Sequence, residues 1–362
     1  MSDLLHSAFS HTTIPYSRPG TPSSHAPKQI GFVGLGAIGY LMATNLANQH
    51  SSPNGHPPLL VWNRSIAKAE KLLAALGKDK IRIAQDLAQI ASECDVIITN
   101  LAHDTVVKSI YEKFAETLKA EPFTTKQRIF VETSTIYPTL AGELDVLISA
   151  VPHAHLVTCP VFGAPAVAAK GQLIIVMSGD YRSKKEIAYL FVPGIGCKVV
   201  DLGENLEKAP TFKLIGNSMI LGTLEVLAEA YTLAEKSGID AENVHNLVQG
   251  EQLDSFGSVI TVDAKWHGNQ TYYQLLGFSI DGGIKDASHI RRLTAELNSP
   301  MPAIDVAHQH LLTARAIHQG MKQEGKAVYE TLDWSGIVAG TRVAAGLDGL
   351  DSNKHDSVVR ED

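Results

Sequence analysis

KQIGFVGLGAIGYLMATNLA, residues Lys28 to Ala47, reads as a strand, a tight turn and a helix in unbroken succession. Ile30, Phe32 and Val33 form an apolar run too short for a helix, and Ile38, Leu41, Met42 and Leu46 then recur at helical spacing. Between them Gly34-Leu35-Gly36-Ala37-Ile38-Gly39 is a G-x-G-x-x-G. Gly34 suits the tight turn, Gly36 lets a pyrophosphate approach the backbone, and Gly39 lets the helix pack on the strand with its N-terminus toward the phosphates. Glycines alone also serve ordinary turns. Placed between a buried strand and an amphipathic helix, these six residues predict a dinucleotide site.

The end of the next strand points to the kind of dinucleotide. Leu59-Leu60-Val61-Trp62 runs into Asn63-Arg64-Ser65, where an NAD site usually carries an acidic residue that accepts hydrogen bonds from the ribose hydroxyls. Arg64 can pair with a 2′-phosphate and Asn63 and Ser65 can donate to it, so NADP is expected over NAD. The alternative is an Arg64 that simply caps a solvated loop. His50 to Pro58 is rich in Ser, Pro, Asn and His and predicts an irregular connection.

Bulk properties fit an enzyme of ordinary composition. At 362 residues and 44% hydrophobic content the chain is long enough for two domains. A net charge of −7 without a basic run argues against a nucleic-acid partner. Cys94, Cys159 and Cys197 form no C-x-x-C, which fits a reducing compartment and argues against a disulfide framework or a structural zinc site; no metal is expected. No apolar run reaches membrane-spanning length. Residues 1–27, rich in Ser, Pro, His and Thr, are expected to be a flexible tail. Arg18 is the sole arginine there and no secretory apolar core is present, so a cytoplasmic location is expected, with a mitochondrial one left open. Residues 348–362 are charged and expected to fray.

From residue 28 to about 203, short apolar runs alternate with helical patterns, as in a parallel sheet with crossover helices. Val96 to Thr99, Ile129 to Val131 and Ile174 to Met177 are candidate strands. The first two are followed by polar segments at Asn100 to Thr105 and Glu132 to Thr135, where strand carboxyl ends place ligand contacts. After Gly203 the pattern changes. A long helix is predicted from about Glu207 to Ser237, apolar on most of its circumference and therefore buried, with Gly238 as its stop. Residues 240–345 read as helical, with a loop at Asn298 to Pro302.

Lys213 and Asn217 are four residues apart on that helix and share a face. Desolvation of a lysine eases its loss of a proton near neutral pH, and Asn217 can bond a substrate oxygen, so the two form a candidate proton-transfer pair. Spacing alone serves equally a lysine that carries its ammonium out to solvent.

Four blocks in order resemble the β-hydroxyacid dehydrogenase family. They are GFVGLGAIGYLMATNLA with VWNRS after it, VETSTIYP at 131–138, CPVFGAP at 159–165 with KGQLIIVMSGD behind it, and KLIGN at 213–217 with GFSIDGGIKD at 277–286. The resemblance implies an α/β fold: a Rossmann NADP-binding domain (28–203) joined by an interdomain helix (204–238) to an all-α domain (239–347). It implies hydride transfer between NADP and a 3-hydroxy acid, semialdehyde or related carbonyl compound, with Lys213 as general acid and base and Asn217 holding the substrate. It also implies that Leu101, Ala102 and Thr135 line the cofactor and that Lys285 reaches it from the helical domain. Ser134 and Gly163 would lie near the substrate carboxylate, and a homodimer or homotetramer is implied.

The departures fall near the substrate. Phe162-Gly163-Ala164 stands where the family has Ser-Gly-Gly, Thr158 replaces an Asp, and Gly203 to Thr211 lacks two glycines usual before the catalytic lysine. The chemistry is expected to be kept and the specificity rebuilt, with Phe162 opening an apolar pocket for a larger carbonyl compound and Ala164 lining the same substrate site. Two other function classes remain. Imine reductases share a related fold but usually carry Asp or Tyr at the proton-donor position. A non-catalytic oligomerisation module on this scaffold would lack the lysine.

Overall fold

The computed structural model describes residues 13–17, 28–50, 57–122, 124–249, 278–327 and 330–350. The expected fraying beyond residue 350, most of the tail before residue 28 and the heart of the His50 to Pro58 connection lie outside these residues. The chain divides into two compact units, Met1–Lys213 and Leu214–Asp362.

The first unit alternates strand and helix. Its strands are β1 (Ile30–Val33), β2 (Leu59–Trp62), β3 (Ile81–Ile83), β4 (Val96–Thr99), β5 (Arg128–Glu132), β6 (Ala154–Thr158), β7 (Val161–Phe162), β8 (Leu173–Gly179) and β9 (Gly196–Asp201). The helices between them are α1 (Ala37–His50), α2 (Ile66–Leu76), α3 (Leu87–Glu93), α4 (Asp104–Ala120), α5 (Pro138–Ser149), α6 (Pro165–Ala169) and α7 (Tyr181–Phe191). The strands join one sheet in the order β3-β2-β1-β4-β5-β6-β8-β7, with β9 on β8. From β3 to β6 all pairings are parallel, and β6 with β8 is antiparallel. Strands covered on both faces must be apolar on both faces, which is why β1 and β4 are buried throughout. The order reverses between β1 and β4, so the crevice at their carboxyl ends is where ligands bind in this architecture.

Part of the expected N-terminal tail is anchored. Thr13 bridges Lys198 in parallel on the outer side of β9, the Thr13 N–H donates to Cys197 O at 3.1 Å and the Val199 N–H to Thr13 O at 3.1 Å. Tyr16 is 6% exposed, packs edge-on against Tyr181 at 5.7 Å, and its carbonyl accepts from the Tyr189 hydroxyl at 2.8 Å. Composition over 27 residues averages away one aromatic anchor, and a pairing this distant leaves no local pattern. Thr13 thus covers the open side of β9. Tyr16→Ala is expected to lower the stability of the unit by about 2 kcal/mol, read as a reduced urea midpoint at unchanged slope; an unchanged midpoint would show the anchor to be idle.

The second unit opens within a 29-residue helix, α8 (Lys208–Lys236), that begins in the first. It continues through α9 (Ala241–Gln249), α10 (Ile280–Glu296), α11 (Pro302–Gln323), a 3-10 turn at Trp334–Ile337 and α12 (Val338–Ala344). Ile284, Ile290, Ile304 and Leu311 are among its buried apolar residues. The expectation of a helix buried all round is corrected here. Leu214, Leu221 and Leu224 are buried, but Ile215, Met219, Val226 and Leu233 are 45 to 68% exposed. Their spacing places them on one stripe, so apolar character all round reflects a second face that the described residues leave open.

Candidate active site

The glycine loop follows from packing. Gly34 has φ +101°, a left-handed conformation that side chains avoid, and a Cβ there would fall on Asn100 O. A Cβ at Gly39 would fall on Gly34 O, whereas one at Gly36 meets nothing within 4 Å. Two glycines are therefore fixed by backbone contact and the third faces open space. That is the cradle a pyrophosphate needs, so the residues fit a dinucleotide. Leu35 is buried, and Ala37 and Ile38 open α1.

Asn63 braces the loop: its Oδ1 accepts from the Leu35 N–H at 2.8 Å and its Nδ2 donates to Ser65 O at 2.9 Å. The bond to Ser65 O uses one of the two Nδ2 protons, so bracing the loop leaves Asn63 a proton for the expected phosphate contact. Arg64 and Ser65 are exposed beside the start of α2, and Ser65 makes no side-chain cap bond to that helix.

The loops after β4 and β5 are tied together. The Asn100 amide donates to Thr133 Oγ1 at 3.0 Å, and the Leu101 N–H donates to Ser134 Oγ at 2.7 Å. The Ser134 N–H donates to Glu132 Oε1 at 2.7 Å, and Thr99 Oγ1 donates to Glu132 Oε2 at 2.7 Å. Ser134 Oγ, which accepts from the Leu101 N–H, is also hydrogen-bonded to the Glu132 carboxyl, so the hydroxyl is part of the brace. Ala102 is exposed and Thr135 half-buried on the same two loops. Sequence analysis missed Glu132 and Asn100 as braces; their position in the polar segments was the available signal.

Glu132 is fully buried, and burial lifts its carboxyl to about 7 against the pull of the bonds from Ser134 and Thr99. The folded state then keeps a proton that an ordinary carboxyl near 4.5 releases. Stability from this group is full below about pH 4.5, declines as pH rises toward 7 and is constant above, a loss of roughly 3 kcal/mol. Urea midpoints of wild type and Glu132→Gln should converge at low pH and separate at pH 8 in favour of the glutamine. Parallel profiles would refute the assignment.

Phe162 lies on β7, in antiparallel register with Ile174, and Val161 beside it is buried. Gly163 has φ +143°, and a Cβ there would press into Leu173 and Val167. Ala164 is exposed and Pro165 opens α6. Lys213 is half-buried in the second turn of α8, with Nζ 4.1 Å from the centre of the Phe162 ring. The start of α8 is held by Thr158, whose Oγ1 donates to Leu206 O at 2.7 Å. It is also held by buried Lys184, which bonds Asp201 and donates to Gly203 O at 2.9 Å. Thr158, a departure from the family pattern, thus braces the helix that carries Lys213.

In the second unit Asn217 is 3% exposed and donates through Nδ2 to Asp286 Oδ2 at 2.7 Å. Lys285 Nζ lies 3.1 Å from Asp286 Oδ1. Only an amide nitrogen is favourable against that carboxylate, so Asp286 fixes which way Asn217 points. Lys285, a solvated residue by periodicity alone, has a side chain only 15% exposed.

Residues 29–200 match a family model described as the NAD binding domain of 6-phosphogluconate dehydrogenase. Residues 208–332 match one described as NAD-binding of NADP-dependent 3-hydroxyisobutyrate dehydrogenase. Over 212 residues the chain is 33% identical to the NADH-dependent oxidoreductase ucdB of Aspergillus ustus, a match covering 59% of this chain and 67% of that protein. The chain belongs to the β-hydroxyacid dehydrogenase family. This β-hydroxyacid dehydrogenase homologue is also 27% identical to the mitochondrial 3-hydroxyisobutyrate dehydrogenase of Drosophila melanogaster, over 85% of this chain and 90% of that one. Its fold is similar to the 3-hydroxyisobutyrate dehydrogenase of Mycobacterium tuberculosis crystallised with L-serine, at TM-score 0.67, 21% identity and coverage of 88% of this chain and 100% of that one. A reductive aminase from Aspergillus terreus in complex with NADPH and ethyl-5-oxohexanoate matches at TM-score 0.53 and 18% identity, over 86% of this chain and 98% of that one. The fold is therefore shared with a protein named as a reductive aminase as well as with one named as a 3-hydroxyisobutyrate dehydrogenase. Among the described residues no helix is long and apolar enough to cross a membrane.

Proposed function

We propose that the chain is an NADP-dependent reductase of carbonyl compounds, working reversibly on the corresponding hydroxy compounds, with Lys213 as the proton donor. The observation that carries this is Lys213 on the second turn of α8, in a family shown by both domain models. The dinucleotide supplies hydride. The backbone at Gly36 would lie against its pyrophosphate, and the loops bearing Leu101, Ala102 and Thr135 would line its nicotinamide half. Lys213 Nζ gives a proton to the carbonyl oxygen in reduction and takes it back in oxidation. Asn217, aimed by Asp286, would hold the substrate oxygen, and Ser134, Gly163 and Ala164 would line the substrate site as the family pattern implies. Lys285 would contribute to cofactor binding, as the family pattern implies.

NADP is favoured over NAD by Arg64 and Ser65, although the Aspergillus ustus relative is named for NADH. Arg64→Asp is expected to weaken NADPH binding at least ten-fold while leaving NADH within about three-fold, since it removes a phosphate partner and adds repulsion. Fluorescence titration with both dinucleotides reads this, and equal effects on the two would refute the NADP assignment. Imine chemistry is the second reading, kept open by the reductive aminase fold match; Lys213 in place of the usual Asp or Tyr favours the carbonyl. Assays with NADPH on a carbonyl alone and on the same carbonyl with an amine separate them. The open apolar stripe of α8 supports a homodimer or homotetramer.

A further inference from the structure

We propose that Phe162 is the specificity-determining residue of this site and also positions Lys213, which makes the preferred substrate an aryl or similarly bulky apolar carbonyl compound rather than a small carboxylic acid. The inference rests on the reading of Lys213 as proton donor and adds the substrate class to it.

Three side chains of the first unit gather at one place. The Lys213 ammonium stands 4.1 Å from the centre of the Phe162 ring, within the range where the negative face of an aromatic ring attracts a cation. Phe212, the neighbour of Lys213 on α8, meets Phe162 edge to face, with ring centres 6.2 Å apart and an interplanar angle of 81°. Phe212 is 40% exposed and Phe162 half-buried. The aromatic pair therefore presents apolar surface beside the amine instead of filling a core.

The mount is stiff. Phe162 is registered against Ile174 of β8, and the Gly163 that follows is locked between Val167 and Leu173 in a conformation other residues avoid. Successive strand residues point to opposite faces, so the burial of Val161 on one side leaves Phe162 directed to the other. A ring held in this way sets where the ammonium sits. It also offers a small carboxylate no hydrogen-bond donor, while a flat apolar group gains contact with both rings. Binding is thereby biased toward substrates whose carbonyl carries an apolar body.

The test compares wild type with Phe162→Ser, Phe162→Leu and Phe162→Tyr. The substrates are 3-phenylpropanal and phenylacetone on one side and glyoxylate and succinic semialdehyde on the other. NADPH titration checks that each variant is folded and binds cofactor. Wild type is expected to favour the aryl compounds in kcat/KM. Phe162→Ser should shift the ratio at least ten-fold toward the small acids, through KM for the aryl compounds. Phe162→Leu keeps an apolar side chain without the ring face and should lower kcat several-fold on all substrates, whereas Phe162→Tyr should restore it. A merely structural role would give equal losses in Leu and Tyr. A wild type that prefers glyoxylate, or a ratio unmoved in Phe162→Ser, overturns the proposal. Aryl turnover that survives Lys213→Ala overturns instead the reading on which it rests.

Discussion

Lys213→Ala is expected to lower kcat for carbonyl reduction by roughly 10³-fold, within the range of a lost general acid, while NADPH binding stays within about two-fold. The asymmetry follows from position. Lys213 sits on α8, whereas the loop braced for a dinucleotide is built from Gly34, Gly36, Gly39, Asn63 and Leu101, none of which the substitution touches. Arginine should not rescue it, because a guanidinium keeps its proton and cannot supply one to an alkoxide. Steady-state kinetics beside fluorescence titration measures both quantities. A kcat within ten-fold of wild type would remove Lys213 from the chemistry and bring the non-catalytic reading forward.

Gly39→Ala is expected to destabilise the first unit by about 2 to 3 kcal/mol and to abolish measurable dinucleotide binding. The added methyl falls on Gly34 O and crowds the Asn100 side chain. The partner it meets is backbone, which cannot swing aside, so α1 must retreat from the turn whose N-terminus faces the phosphates. Gly36→Ala is the control that divides the two effects. Its methyl meets no protein atom within 4 Å, so stability should hold while dinucleotide binding falls, because the methyl occupies the approach of the pyrophosphate. Urea midpoints and titrations on both variants read this. If Gly36→Ala bound NADPH normally, the cradle would be misassigned.

Much of this architecture is legible in the sequence wherever a local pattern carries it. The strand, turn and helix of residues 28–47 need only apolar spacing and three glycines. The long helix drawn from Glu207 to Ser237 is observed at Lys208–Lys236, since 29 residues of helical periodicity outweigh uncertainty at the ends. What sequence could not give are the braces between distant loops. Glu132 with Ser134 and Thr99, Thr158 with Leu206, and Lys184 with Asp201 join residues whose proximity only the sheet order creates. Asn63 shows the complementary limit: a polar residue at a strand end reads as a ligand donor, and its second use, bracing backbone at Leu35 and Ser65, is invisible in the sequence. The α8 stripe shows another, because periodicity measures how apolar a face is and not what covers it.

The anchored segment at Thr13 to Ser17 has a consequence for the order in which the chain is made. Their partners, Tyr189 and the Cys197 to Val199 stretch of β9, are made more than 170 positions after them. During translation the segment must wait until the rest of the first unit has been made. A chain halted before β9 has no strand for Thr13 to pair with, whereas a finished one closes over β9. The Thr13 to Ser17 segment thereby marks the completed unit, and its exposure distinguishes an unfinished chain from a mature one.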